Sequence, residues 1–306
     1  MKFSHIHISS RFSRSPANLE NALDVFRTKS SVITMTEVGR DDRKRTIAEK
    51  GWGWFSGSGG EAGVDECSTS WELATWTQVY ARAVKLIGRW PTYTGGTRWA
   101  VYANTVVLKH KTSGHRVLFS TIHTPNKIGG ASGFKPQGAN GAERIASYKR
   151  MIKNWDDHIA QVARNQKADC IVISADFNIK FRNGWVRTYL VNSFKDLKMK
   201  QSWKHFTGGG TFGRAIIDGS LYVGLSTDQG SFVIPDPGNS SDHNPFKTNY
   251  ETTVKAGTPV KPAPAGPKPP ADPTPDPPPT GSEGYGVAWW NFDDYADDTV
   301  YEVEQT

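Results

Sequence analysis

The sequence predicts an α/β fold, and three observations carry the prediction. Apolar runs of strand length recur through residues 1–250, helical periodicities lie between them, and turn residues join neighbouring runs as hairpins. Alternating strands and helices with hairpins of this kind predict a two-sheet α/β sandwich with outer helices. The third observation is that five of the runs carry or lead into a polar motif, so a buried strand delivers a carboxylate, amide or imidazole to one edge of a sheet.

The elements follow in order. Residues 3–9 read as the first strand. Ser15 and Pro16 give an N-cap and a first-turn proline, opening a helix with Leu19, Ala22, Leu23 and Phe26 on one face. Residues 31–38 are the second strand. Residues 51–63, rich in Gly, Ser and Trp, read as a surface loop with exposed aromatics, whereas Trp71, Trp76 and Tyr80 line either the core or a substrate groove, the core being preferred for large aromatics. Residues 97–109 and 115–122 form a hairpin around Lys111-Thr112-Ser113-Gly114. Residues 126–141, with Gly129, Gly130, Gly133, Gly138 and Gly141, are a long polar loop of the sort that shapes substrate access. The clearest helix is 142–164, where Ile145, Tyr148, Ile152, Trp155, Ile159 and Val162 repeat at helical spacing. Arg144, Lys149, Lys153 and Arg164 lie off that stripe and are expected to be a solvated basic face.

Composition divides the 306 residues into two regimes. Residues 1–251 hold 34 Lys and Arg against 21 Asp and Glu, a net charge of +13 that favours a polyanionic partner such as nucleic acid. Residues 259–279 contain 11 of the 18 prolines, a semi-extended spacer within a linker at 252–283. Residues 284–306 intersperse Tyr285, Trp289, Trp290, Phe292, Tyr295 and Tyr301 with acids, which reads as a docking tail for a protein partner, one that folds back onto the basic body, or a disordered solubilising extension. From residue 252 onward the net charge is −6. Two cysteines make no disulfide framework, no stretch of 18 apolar residues exists to span a membrane, and the N-terminus lacks the apolar core of a signal peptide. A cytoplasmic location is therefore expected.

The five motifs are Thr36-Glu37-Val38, Ile122-His123-Thr124-Pro125, Ala175-Asp176-Phe177-Asn178, Ile216-Ile217-Asp218 and Ser241-Asp242-His243-Asn244-Pro245. Oxygen donors of this kind suit a hard cation, Mg²⁺ or Mn²⁺, and two imidazoles beside a bound phosphate can serve as base and acid. The chemistry is that of a metal-dependent phosphodiesterase on residues 1–251.

The order and spacing of these motifs resemble the endonuclease/exonuclease/phosphatase superfamily over residues 1–250, and His123 resembles the pancreatic-type deoxyribonuclease branch. The resemblance implies a DNA substrate, a metal bound by Glu37 with Asp242 and His7, His243 as general base oriented by Asp218, Asp176 and Asn178 positioning water and phosphate, and His123 as donor to the phosphate or leaving group. Three departures stand out: His7 where the family has a first-strand Asn, Ala175 for Gly, and Gly219 for the aromatic after Asp218. Two other readings fit the chain: a lipid or nucleotide phosphoesterase using the same site, and a non-catalytic interaction protein tethered by its tail.

Overall fold

The computed structural model describes residues 1–11, 14–39, 47, 49–57, 63–204 and 209–262. The acidic aromatic tail, most of the Pro-rich linker and His205 lie outside the described residues.

Two sheets form the architecture. The first takes the order β13-β15-β1-β2-β4-β3, with β14 also pairing β15, and is built from β1 (Lys2–Ser9), β2 (Val32–Thr36), β3 (Trp52–Ser56), β4 (Ser68–Glu72), β13 (Leu225–Ser226), β14 (Ser231–Val233) and β15 (Phe246–Thr252). The second takes the order β11-β12-β10-β9-β8-β5, from β5 (Trp76–Ile87), β8 (Val101–His110), β9 (Arg116–His123), β10 (Cys170–Asp176), β11 (Lys200–Gln201) and β12 (Asp218–Val223). A short ribbon pairs β6 (Trp90–Pro91) with β7 (Thr97–Arg98).

Alternation along β1 shows how the sandwich is assembled. Ile6 and Ile8 point away from the second sheet and pack with Leu19, Leu23 and Phe26 of α1 (Pro16–Arg27), whose first turn is capped by Ser15. Phe3, on the opposite face, enters an inter-sheet cluster with Trp76, Phe119, Val172 and Tyr250. His5 and His7 follow on that face and meet Thr34, whose hydroxyl lies 2.8 Å from His5 Nε2, 2.9 Å from His7 Nδ1 and 2.8 Å from Ser174 Oγ across the interface. The layer between the sheets therefore turns from apolar to hydroxyl- and imidazole-lined within six residues of one strand.

The outer face of the second sheet carries α2 (Gly141–Asn165) and α3 (Gly184–Ser193). The helical stripe of Ile145, Tyr148, Ile152, Trp155, Ile159 and Val162 is buried there, as its spacing predicts. This is the predicted two-sheet α/β sandwich with outer helices.

Three local expectations are corrected. Residues 52–56 are an edge strand paired to β4, not loop, because alternate residues pack on the sheet although Gly and Ser weaken the strand signal. β5 has no counterpart in the sequence reading: register shifts between Gln78 and Tyr80 and between Lys85 and Ile87 break its alternation. Arg144 is fully buried rather than solvated. Its guanidinium donates to the carbonyls of Lys127 (2.8 Å), Gln137 (2.5 Å) and Ala139 (3.3 Å) and lies over the Tyr93 ring, so it ties loop 126–141 to the β6–β7 ribbon. Trp71 and Trp76 are buried as expected, while Tyr80 is only partly so. Among the described residues, no helix is long and apolar enough to cross a membrane.

Candidate active site

Strand register assembles the site. On adjacent strands β9, β10 and β12, His123, Asp176 and Asp218 are direct register partners, so three motifs far apart in sequence form one row. The neighbouring sheet ends its strands at the same edge. Ser9 pairs with Thr36, and Glu37 follows immediately. His243 arrives on the segment before β15 and bridges to Phe212.

Each histidine is held by a carboxylate. His243 Nδ1 donates to Asp218 Oδ2 at 2.9 Å, leaving Nε2 as the nitrogen for proton transfer. His123 Nδ1 donates to Glu66 Oε1 at 2.7 Å, while its Nε2 lies 3.6 Å from Glu37 Oε1 and 3.7 Å from Asp176 Oδ2. Glu66 is buried and fixed by Arg98 (3.3 Å) and by the indole N–H of Trp99 (3.1 Å). It belongs to none of the five motifs, and the sequence reading missed it. Ser9 was also missed: its hydroxyl donates to the second oxygen of Asp218 and receives a hydrogen bond from Thr36.

Two residues sit in the left-handed backbone region. Glu37 has φ 56° and Asn178 φ 52°. The Glu37 conformation costs on the order of 1 kcal/mol in a non-glycine residue and is held by flanking structure, including the Val38 N–H bond to Glu66 O. β10 ends at Asp176, so strand alternation does not place Asn178. The turn does: Asn178 N–H donates to Asp176 Oδ1, and its side-chain amide donates to Thr124 O, both at 2.9 Å.

The electrostatics are those of a carboxylate-rich pit. Burial pushes Asp176 up to about 7, with neighbouring Asp218 acting in the same direction. Burial disfavours the His123 imidazolium, but Glu66, Glu37 and Asp176 outweigh it and raise the group to about 9. Burial is likewise outweighed at His243 by Asp218, Asp176 and Asp242, which raise it to about 10. Asp218 would rise through burial but is held below the usual carboxylate range by His243 and the Ser9 hydroxyl.

Two of the predicted residues stay outside the cluster. His7 is fully buried between the sheets, with Nδ1 on Thr34 and Nε2 facing Ser9 Oγ at 3.5 Å; burial pushes it down to about 4, so it is neutral. It reaches Asp218 through Ser9. Asp242 is turned outward and pairs with Arg11 at 3.2 Å. Gly219, the departure after Asp218, is explained by packing: the Phe181 ring, from the connection after β10, lies where a Cβ would project.

The donor set suits a hard cation. Asp176, Asp218 and His243 each offer a ligand atom within 4.8 Å of the others, and Glu37 and Asp176 converge on His123 Nε2. Cys67, beside Glu66, is buried and its thiol is pushed well above its usual range by burial, so no thiolate competes.

No protein-family model matches the chain, and no curated protein matches it in sequence. Solved structures match its fold. An endonuclease/exonuclease/phosphatase family protein from Bacteroides thetaiotaomicron superposes with TM-score 0.60 at 12% identity, covering 82% of this chain and 95% of that one. The human Nocturnin catalytic domain gives TM-score 0.58 at 13% identity over 82% and 95% of the two chains. TDP2 of D. rerio, solved with a single-strand DNA product, gives TM-score 0.57 at 10% identity over 82% and 99%. The chain thus has the endonuclease/exonuclease/phosphatase fold.

Proposed function

We propose that this chain is a divalent-metal-dependent phosphodiesterase that hydrolyses DNA, with residues 1–251 supplying the site. One observation carries the reading: two imidazoles, each tethered at Nδ1 by a buried carboxylate, flank the carboxylate of Asp176 at one sheet edge. That arrangement gives a phosphoester a proton acceptor on one side and a proton donor on the other.

Glu37 and Asp176 are the residues that would hold Mg²⁺ or Mn²⁺; Asp242, paired with Arg11, and His7, bonded to Thr34, lie outside that cluster. A bound cation would polarise the phosphoryl oxygen and offset the field of the clustered carboxylates. The neutral form of His243 accepts a proton from the attacking water, and Asp218 holds the ring in the tautomer that exposes Nε2. His123 donates a proton from Nε2 to the phosphate or leaving oxygen, and Glu66 stabilises the charged ring. Asn178, pinned to Thr124, fixes the turn that orients Asp176.

The DNA assignment draws on the +13 charge of residues 1–251. The same fold includes a Bacteroides mannosyl-6-phosphatase, so a smaller phosphoester is the competing substrate class. A plasmid-nicking assay decides between them. Nicking is expected with Mg²⁺ or Mn²⁺ and is abolished by EDTA. His243→Ala is expected to lower the rate by roughly 10²-fold or more with little change in Tm. Full activity in that variant would refute the assigned base.

A further inference from the structure

Phe212 is one of three large apolar side chains exposed among the described residues, at 45%, and it stands directly against the catalytic imidazole. Its ring centroid is 4.9 Å from that of His243, and the two residues form a backbone bridge. The loop that presents it is built rigidly. Phe212 and Ala215 exchange backbone hydrogen bonds, both at 2.9 Å, around a two-residue turn in which Gly213 supplies φ 55°. Thr211 Oγ accepts from the N–H groups of Ile217 (3.0 Å) and Asp218 (3.2 Å). Asn244 donates its N–H to Thr211 O (2.6 Å) and its amide to Gly210 O (3.0 Å). The loop is thus fastened to both halves of the Asp218–His243 dyad, yet its tip, Phe212-Gly213-Arg214, faces solvent.

A single exposed apolar ring on a protein surface needs no explanation. This ring differs because ordered polar bonds hold it in place beside the reacting groups, and because the adjacent Arg214 is exposed and makes no ion pair among the described residues. An aromatic face next to an exposed cation has the chemistry that binds a nucleobase and the phosphate attached to it. A base in a duplex is already stacked on both faces and cannot take up such a platform without being unstacked.

We infer that Phe212 and Arg214 form a nucleotide subsite, in which Phe212 stacks an unpaired base adjoining the scissile phosphate and Arg214 pairs with a neighbouring phosphate. The inference rests on the nucleic-acid reading of the same site and narrows it to segments whose bases are unpaired, including the transiently unpaired stretches of a negatively supercoiled plasmid. A sugar phosphate or lipid headgroup offers no ring to stack.

Binding of a fluorescent single-stranded oligonucleotide, followed by anisotropy in EDTA so that nothing is cut, tests the subsite apart from the chemistry. Phe212→Ala is expected to weaken binding by about 10-fold, Phe212→Trp to preserve it, and both to keep the wild-type Tm. Replacing bases one at a time with abasic residues is expected to reveal one position at which wild type loses that same factor and Phe212→Ala loses nothing further. Arg214→Gln is expected to reduce the salt slope by about 0.7. Binding of Phe212→Ala within about twofold of wild type, or equal abasic penalties in both proteins, would overturn the subsite. Failure of wild type to cleave any strand that it binds in the predicted way would instead refute the phosphodiesterase reading and leave the subsite standing.

Discussion

Ser9 and Glu66 carry no recognisable motif, yet each completes a dyad. The Ser9 hydroxyl occupies the oxygen of Asp218 that His243 does not use, which leaves the carboxylate one geometry. Removing an outer partner of this kind commonly costs 10–100-fold in function. Ser9→Ala is therefore expected to lower kcat by about 10-fold with KM little changed, read from steady-state cleavage. Glu66→Gln is expected to lower activity further, because it removes the charge that stabilises the His123 imidazolium. Protons also compete with the cation here. Asp176 is raised to about 7, so it is largely protonated at low pH and must lose its proton before it can hold the cation. Mn²⁺ affinity is expected to rise between about pH 6 and about pH 8, as Asp176 loses its proton, with proton release detectable by calorimetry in buffers of different ionisation enthalpy. Affinity independent of pH across that window would contradict this electrostatic account.

At the scale of elements, helix α2 does more than cover a sheet. Arg144 satisfies three carbonyls of the loop that follows His123, and Arg144→Met would leave these partly buried groups without that donor. A loss of about 2–3 kcal/mol is expected, equivalent to a Tm lower by roughly 5–10 °C, together with faster proteolysis within 126–141. The same helix carries His158, bonded to Thr105 at 3.0 Å and pushed down to about 4 by burial, with Arg82 adding to the effect. Because its folded value is depressed, the unfolded chain binds the extra proton first. Its contribution to stability is thus complete above about pH 6.5 and is lost as pH falls towards about 4. His158→Gln is expected to shrink the difference in urea midpoint between about pH 7 and about pH 5, a comparison that isolates this residue from the oppositely shifted site histidines.

For the whole molecule, charge separates the body from the tail. The chain beyond β15 still packs on the body: Thr253 N–H bonds Gly224 O, and Val260 N–H bonds Ala168 O at 2.8 Å. A truncation that spares these contacts falls after Pro262. Deleting 263–306 is expected to leave Tm and cleavage unchanged at physiological salt, where attraction between the +13 body and the acidic tail is screened beyond ~8 Å. Tighter DNA binding after the deletion, strongest at low salt, would identify the tail as an internal competitor of nucleic acid. Loss of a partner in pull-down with unchanged binding would identify it as a tether.

Strand periodicity and the polar residues that end each strand are local properties, so the sequence alone determined the α/β class, the long helix and the order of Glu37, His123, Asp176, Asp218 and His243. These groups are recognisable because each stands at the end of an apolar run, where a carboxylate or imidazole has no packing role. Tertiary structure decided how they pair. Glu66 meets His123 across 57 positions and Ser9 meets Asp218 across 209, contacts set by how two sheets stack and by strand register. His7 shows the same limit from the other side. Its place in the sequence suits a ligand, but the strand turns it between the sheets, where two hydroxyls engage its nitrogens and burial keeps it neutral. A serine or glutamate flanking a strand reads identically whether it faces solvent or a catalytic imidazole, since partner choice depends on distant residues brought near by packing.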